Sequence, residues 1–281
     1  MKRINHLVLC ADDLGAIRQH YEELGFTLCP AGQHPFGTGN TVIQLYGSYL
    51  ELLSVTRPAD VAGHAPGHFS FSAFNRDYLN RHEGFSMMAL DSEDAFRDQR
   101  EWTQAGLTTY EPFAFSRMAK MPDGSEVKVG FSLAFVSNGA APWLGLFACR
   151  HERPEYYAQP MYQTHANGAH HLADVWISGD GALDLSSYLE TVAGTFALPR
   201  SNGRIDLPTR FGTIVLADHP TFEKAFGMPP PHPGDGPHLA GLTIACSGAP
   251  RLPPGVARET GKRMVVSPAL SHGTAIAFSS Y

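Results

Sequence analysis

The chain repeats itself: a strand, a helix and further strands run over residues 4–55, and the same order returns from about residue 84. Repetition is read first, because a unit that cannot bury its own apolar face needs its copy to complete a core. In the first copy INHLVLCA alternates and is rich in β-formers. Asp12 or Asp13 is placed to cap a helix whose apolar residues Leu14, Ile17, Tyr21 and Leu24 keep helical spacing, with Gly25 as the stop. FTLCPAG, TVIQLY and YLELLSV then read as strands, which makes a βαβββ unit.

In the second copy FSMMAL is the first strand, and Ser92 is placed to cap a helix through REWTQ that stops at Gly106. LTTYEPF, VKVGFSLAFV and WLGLFAC complete the set, and the endings VTRPAD (55–60) and HERPEY (151–156) match. A third copy starts at HHLADVWI, continues through a helix over about 183–193 with Gly194 as its stop, and reaches GTIVLAD. The fourth is abbreviated: HLAGLTIAC and HGTAIAFSS are its first and last strands, with the Pro-rich APRLPPGV where a helix would stand. YYAQPMYQTHANGA reads as a connector and MPPPHPGDGP as loop. The expectation is an α+β protein of two domains, residues 1–158 and 168–281, the second a degenerate copy of the first.

A length of 281 residues accommodates two such domains, and 43% hydrophobic with 17% charged residues suits a buried core. A net charge of −6 without any run of Lys or Arg argues against a nucleic-acid partner or an anionic membrane surface. No apolar run approaches the roughly 20 residues of a membrane span. MKRINHLVLCADDLG superficially suggests a signal peptide, but His6 interrupts its apolar stretch and Asp12-Asp13 end it, so it reads as a strand. Cys10, Cys29, Cys149 and Cys246 are scattered without a CxxC, as expected of reduced thiols in a cytoplasmic protein.

The residue that most demands a reason is Glu51, in the middle of YLELLSV. An ionised carboxylate in a buried strand is costly unless it is paired, protonated or metal-bound. With Gly47-Ser48 as a two-residue turn, Tyr46 would face Tyr49 and Gln44 would face Glu51. Alternation then places Val42, Gln44, Tyr46, Tyr49, Glu51 and Leu53 on one face, and Ile43, Leu45, Leu50 and Leu52 on the other. The first face has the mixed polar and aromatic character of a ligand cavity. The plain alternative is a Glu51 that hydrogen-bonds Gln44 and a tyrosine at a wet sheet surface.

The loop GQHPFGTGN (32–40) carries three glycines and a proline, so its backbone can approach a ligand closely. Its amides could hold an anion with His34 and Asn40 adding directed hydrogen bonds; equally, it could be a shaped turn that satisfies its own backbone. It lacks the Gly-Lys-Ser/Thr ending of a P-loop, and neither a G-x-S-x-G elbow nor a Rossmann fingerprint is evident.

Four βαβββ-like modules, with G-x-H-P-x-x-G-T-x-N before YLELLSV and the segment ACRHERPE…HANGA, resemble the vicinal oxygen chelate superfamily in its glyoxalase-like branch. That superfamily includes glyoxalases, extradiol dioxygenases, and fosfomycin- and bleomycin-resistance proteins. The resemblance implies curved, cup-like mixed sheets, with a divalent metal held by a His on the first strand and a Glu on the last strand of each module. His6 and Glu51 occupy those places in module one, and zinc, iron, manganese and nickel all suit such donors. The second module departs from the pattern: Phe147 falls opposite Glu51, and Ser86 or Met87 opposite His6. Cys149 and His151 share the face of Phe147 and reach the cavity if their strand continues that far. In the second half His170, His171 and His238 begin first strands, but the last strands carry no matching Glu. Asp218 and His219 lie near the end of one, and His272 precedes the other.

The resemblance implies an enzyme of lyase, isomerase or dioxygenase type acting on a small oxygen-rich metabolite in the first cup. Glu51 would be ligand or general base, and His34 would act beside it, with Asn40, Gln44, Tyr46 and Tyr49 positioning the substrate. A metal-free protein that sequesters a small molecule is the alternative, and an oligomeric scaffold with vestigial cups is a third reading. A small-molecule ligand is expected, without a nucleic-acid or membrane partner, and a homodimer stays open.

Overall fold

The computed structural model describes residues 1–121, 123–201 and 203–281. In chain order the elements are β1 (Ile4–Cys10), α1 (Leu14–Glu23), β2 (Gly32–Gln33), β3 (Thr38–Leu45), β4 (Ser48–Val55), α2 (Phe71–Leu79), β5 (Gly84–Asp91), α3 (Ala95–Gln104), β6 (Thr108–Thr109), β7 (Phe113–Lys120), β8 (Glu126–Ser137) and β9 (Gly145–His151). The second half has β10 (Ala169–Ser178), α4 (Ser186–Ala193), β11 (Leu198–Ser201), β12 (Arg204–Pro208), β13 (Thr213–Ala217), α5 (His219–Phe226), β14 (His238–Cys246), β15 (Ala257–Thr260), β16 (Arg263–Val266) and β17 (Ala275–Ser280).

Two mixed sheets result. The first runs β2-β3-β4-β1-β5-β9-β8-β6, with β7 paired to β8, and the second runs β11-β12-β13-β10-β14-β17-β16-β15. In each module the first strand lies parallel to the last: β1 with β4, β5 with β9, β10 with β13 and β14 with β17. Paired modules meet through antiparallel first strands, β1 with β5 and β10 with β14. The chain is therefore an α+β protein of paired βαβββ modules forming mixed sheets, as the repeats imply, and in the fourth module residues 247–256 carry no helix.

Local chemistry sets most boundaries. Asp13 caps α1 by accepting the Ala16 N–H at 2.8 Å. Asp94, rather than Ser92, caps α3, accepting from Phe96 and Arg97, while Ser92 Oγ takes the Asp94 N–H and donates to Asp98. FTLCPAG is not a full strand. Cys29 N donates to Val42 O at 2.8 Å, but regular pairing begins only at Gly32, after Pro30, which has no N–H for a ladder. LTTYEPF likewise breaks into β6 and the start of β7.

One continuous apolar core joins one face of both sheets with α1, α3 and α4. Each sheet's other face holds its own cluster, crossed by a helix that lies between modules. α2 brings Phe71, Phe74 and Tyr78 into the first, and α5 brings Phe222 and Phe226 into the second. Among the described residues no helix is long and apolar enough to cross a membrane.

Candidate active site

The register of the β3–β4 hairpin decides which side chains meet. Val42 lies opposite Glu51, Gln44 opposite Tyr49 and Leu45 opposite Ser48, so Tyr46-Gly47 forms the turn. Gly47, at φ +80°, is its second residue, the position that favours glycine in a type II turn. The expected pairing of Gln44 with Glu51 is therefore displaced by two residues. Because side-chain direction repeats every two residues, Tyr49 and Glu51 keep their shared face. Tyr46 does not join them: it is 57% exposed and stacks on His170. Gln44 turns to the connector, accepting the Gln159 N–H at 2.9 Å and meeting Cys29 Sγ at 3.5 Å, and it is absent from the wall of the cup.

Glu51 lies 6% exposed in a cavity of about 30 Å³ lined by His6, His34, Tyr49, Tyr157, Cys149 and five phenylalanines. Its Oε1 accepts the Asn40 amide at 2.6 Å. His6 Nε2 stands 3.6 Å from Oε2, and His34 Nε2 stands 3.7 Å from Oε1. Burial raises the Glu51 carboxyl to about 7, opposed by the Asn40 hydrogen bond and the Arg117 charge. Burial also lowers both histidines: His34 falls to about 3, with the Arg117 charge adding to the effect, and His6 falls well below its ordinary range. At neutral pH the cluster is one carboxyl near its midpoint among neutral imidazoles, and it is not a set of ion pairs.

The 32–40 loop is a tight hairpin, pairing Gly32 with Asn40 and Gln33 with Gly39. Its backbone is largely self-satisfied: His34 N donates to Thr38 O at 2.8 Å, and the Gln33 side chain donates to Thr38 O at 2.9 Å. The side chains do the facing, since His34 Nδ1 lies 2.8 Å from Thr38 Oγ1 and its Nε2 points toward Glu51. A Cβ at Gly32 would come within 2.8 Å of Asn40 Oδ1 and 3.0 Å of the Arg117 guanidinium, so glycine there lets both approach.

A β-bulge adds a residue that the pattern did not reveal. Ile4 pairs with Leu90 and His6 with Ala89, which leaves Asn5 as an extra residue in β1. His6 Nδ1–H donates to Asn5 Oδ1 at 2.7 Å, and His151 Nε2 lies 3.3 Å from the same oxygen. Neutral His6 consequently presents an unprotonated Nε2 to the Glu51 side. The strand β9 does extend to His151, whose imidazole is lowered to about 4 by burial and the Arg3 charge.

The donor set does not match a four-ligand metal centre. Val8 pairs with Glu51, and His6 lies two residues before Val8; in module two Ala89 pairs with Phe147, and Met87 lies two residues before Ala89. Met87 and Phe147 thus hold the places corresponding to His6 and Glu51, and the Phe147 ring meets the His6 ring edge-on at 5.4 Å. Among the described residues no group of three or more His, Cys, Asp or Glu is arranged to hold a metal ion. The His6–Glu51 pair lacks its symmetric half, so the residues present do not fit the four-ligand metal of the superfamily pattern.

The walls were the least visible part in the sequence. Phe36, Phe71, Phe115 and Phe131 come from four separate elements, and Tyr157 from the connector. Only the alternation in FAFSRMAK, which turns Phe113, Phe115 and Arg117 inward, could have signalled one of them. The second-half candidates do not converge. Asp218 caps α5, His238 Nδ1 binds Gly236 O at 2.8 Å, His170 packs on His171, and His272 binds Glu83 at 2.7 Å.

Paired βαβββ modules with a polar cluster on one cup define a protein of the vicinal oxygen chelate fold. The glyoxalase-like domain family model matches residues 4–193, well over half of the chain. The chain belongs to that family. A hypothetical protein from Staphylococcus aureus has the same fold, with a TM-score of 0.75 at 13% identity over 100% of both chains. A triple mutant of 4-hydroxymandelate synthase from Streptomyces coelicolor aligns with a TM-score of 0.57 at 12% identity, over 99% of this chain and 92% of the other. No significantly similar sequence is found among curated proteins.

Proposed function

We propose that this glyoxalase-like protein is an enzyme that moves a proton on carbon, next to a carbonyl, in a small oxygen-bearing substrate held in the first cup. The observation that carries this reading is Glu51: buried, hydrogen-bonded once, and raised to about 7. A carboxyl near its midpoint at neutral pH is populated in both forms, so it can take a proton and return it. Asn40 holds Oε1 and leaves Oε2 on the His6 side to exchange that proton. Tyr49 and Tyr157, whose phenols burial keeps protonated, are neutral donors for a substrate oxygen on which enolate charge develops. His6, locked by Asn5, offers an acceptor to a substrate hydroxyl. The space now free is about that of one water, so a substrate displaces aromatic side chains as it enters.

The test is proton exchange in D2O, followed by NMR over a panel of small α-hydroxy ketones and 2-oxo acids. Wild type should exchange the carbon-bound proton of at least one member, and Glu51→Gln should slow that exchange by about 10²–10⁴-fold. Exchange that is unchanged in Glu51→Gln would sink the assignment. The apolar Met87 and Phe147 favour a second reading, a binding protein that retains its ligand unchanged. Saturable binding of a panel member without exchange in wild type would favour that reading.

A further inference from the structure

The cup is not the largest recess. A groove of about 660 Å³ lies between the start of the first sheet with α3 and a second-half wall formed by α4 and Arg210. Groove and cup share Tyr49, Cys149 and Tyr157, so a thin aromatic wall separates them. His151 stands in that wall, its ring edge-on to Tyr157 at 4.3 Å. The groove's volume suits a small organic molecule as it stands, whereas the cup admits one only as its aromatic walls move aside.

Two side chains that line the groove each hold one buried polar atom without a hydrogen-bond partner among the described residues. Ser48 is 8% exposed, and its buried Oγ has no hydrogen bond. The Arg3 Nε is also buried without one: the backbone N–H of Arg3 binds Asp91 at 2.5 Å, while Asp91 Oδ2 stays 3.7 Å from Nε. Arg210, from the second half, reaches the same carboxylate at 3.4 Å. Two guanidiniums therefore lean on one acid. Of the other side-chain charges on the walls, Lys2 pairs with Asp98 at 2.7 Å, and Arg97 lies between Glu93 and Glu101. Excess positive charge thus collects at Arg3 and Arg210, and excess negative charge on α3. The partly exposed guanidiniums of Arg3 and Arg210 are planar donor forks that match the oxygens of a carboxylate or phosphate.

We propose that this groove binds the anionic handle, a carboxylate or phosphate monoester, of the molecule whose reacting end enters the cup, with Arg3 and Ser48 as donors and Arg210 as the second cation. The proposal rests on the cup as the reacting site and gives the second half of the chain a part in it. The substrate class becomes an elongated acid, with an oxygen-bearing carbon at one end and the charge at the other.

Binding can be read without turnover, because Trp102 lines the groove and reports occupancy by fluorescence. The probes are 4-phenylbutanoate, 4-phenylbutyl phosphate and the neutral 4-phenylbutan-1-ol. At least one anion should bind about tenfold or more tighter than the alcohol, and the two anionic arms separate carboxylate from phosphate. Arg3→Gln should remove most of that preference, and Ser48→Ala should weaken it severalfold. Arg210→Gln, at a side chain that is 60% exposed, provides a second variant that does not disturb the core. Equal binding of alcohol and acids, binding of none, or a preference that survives Arg3→Gln combined with Arg210→Gln would overturn the proposal. Glu51→Gln should leave the anion preference intact, so loss of exchange with retained preference separates a fault in one assignment from a fault in the other.

Discussion

In the concave face of the first sheet, Glu51, His6, His34 and Asn40 sit among phenylalanines beside a small cavity. In the second, Trp176 is fully buried, with Phe222 and Phe226 stacked 4.4 Å apart against it and alanines at positions 217, 240, 275 and 277. Both faces are made by the same module pairing, and both are crossed by a helix between modules. The helices differ in what they carry inward. Phe71 of α2 forms one wall of a space that polar side chains enter, whereas Phe222 and Phe226 of α5 pack edge-on against the Trp176 indole at the centre. Arg204 caps that indole at 4.8 Å. One architecture thus serves twice, once as a site and once as a packed core. The polar residues of the first cup cost stability that a core would not forgo.

Trp176→Ala offers the strongest way to break that contrast. Emptying a packed aromatic centre should destabilise the protein by about 3–5 kcal/mol in urea unfolding. Anion binding in the groove should persist under conditions where the variant remains folded. If the loss were under about 1 kcal/mol, the second cup would not be the packed core described here.

Glu51→Gln tests the opposite cup by its pH dependence. The folded carboxyl sits at about 7, above its unfolded value of about 4.3, so the folded state holds the extra proton between those values. The stability contributed by that proton is full below the unfolded value and is lost as pH rises through the folded one. Relative to wild type, Glu51→Gln should therefore gain stability progressively between about pH 4 and 7 and then plateau, for a total of roughly 4 kcal/mol. His34 and His151 act in the other sense, destabilising the fold as pH falls below about 6.5, but they contribute to both proteins and cancel in the difference. A difference that is flat with pH would mean that Glu51 is ordinarily ionised.

Tyr46→Ala should have the smallest effect, within about 0.5 kcal/mol on stability and without change in exchange or anion binding, because the side chain is exposed at the turn. Tyr49→Phe, two residues beyond Gly47, should lower exchange instead. Equal effects from the two would return the hairpin to the register in which Tyr46 faces Tyr49.

Much of this was present in local pattern. Strand alternation and glycine stops marked the four modules, because both act over a few residues. The parity of β4 placed Glu51 and Tyr49 together, and parity survives a two-residue error in register. The same error misplaced Tyr46 and Gln44, since whether Gly47 is the first or second residue of the turn is a backbone choice that alternation cannot read. The odd Phe147 at a ligand position was also visible, and it marked the missing half of a metal centre.

What the sequence determined by itself was therefore the repeat, the α+β fold and the polar face that carries Glu51 with His34 and Asn40 close by. Tertiary structure decided the rest. The bulge at Asn5 exists only because β1 pairs with a strand some eighty residues away, and it sets the tautomer of His6. The walls come from β7, α2 and the connector, and their closure removes the water that would otherwise hold Glu51 near its ordinary acidity. Arg210 reaches the groove only because the second half packs there. Each of these depends on a partner distant along the chain, and neither periodicity nor spacing carries that information.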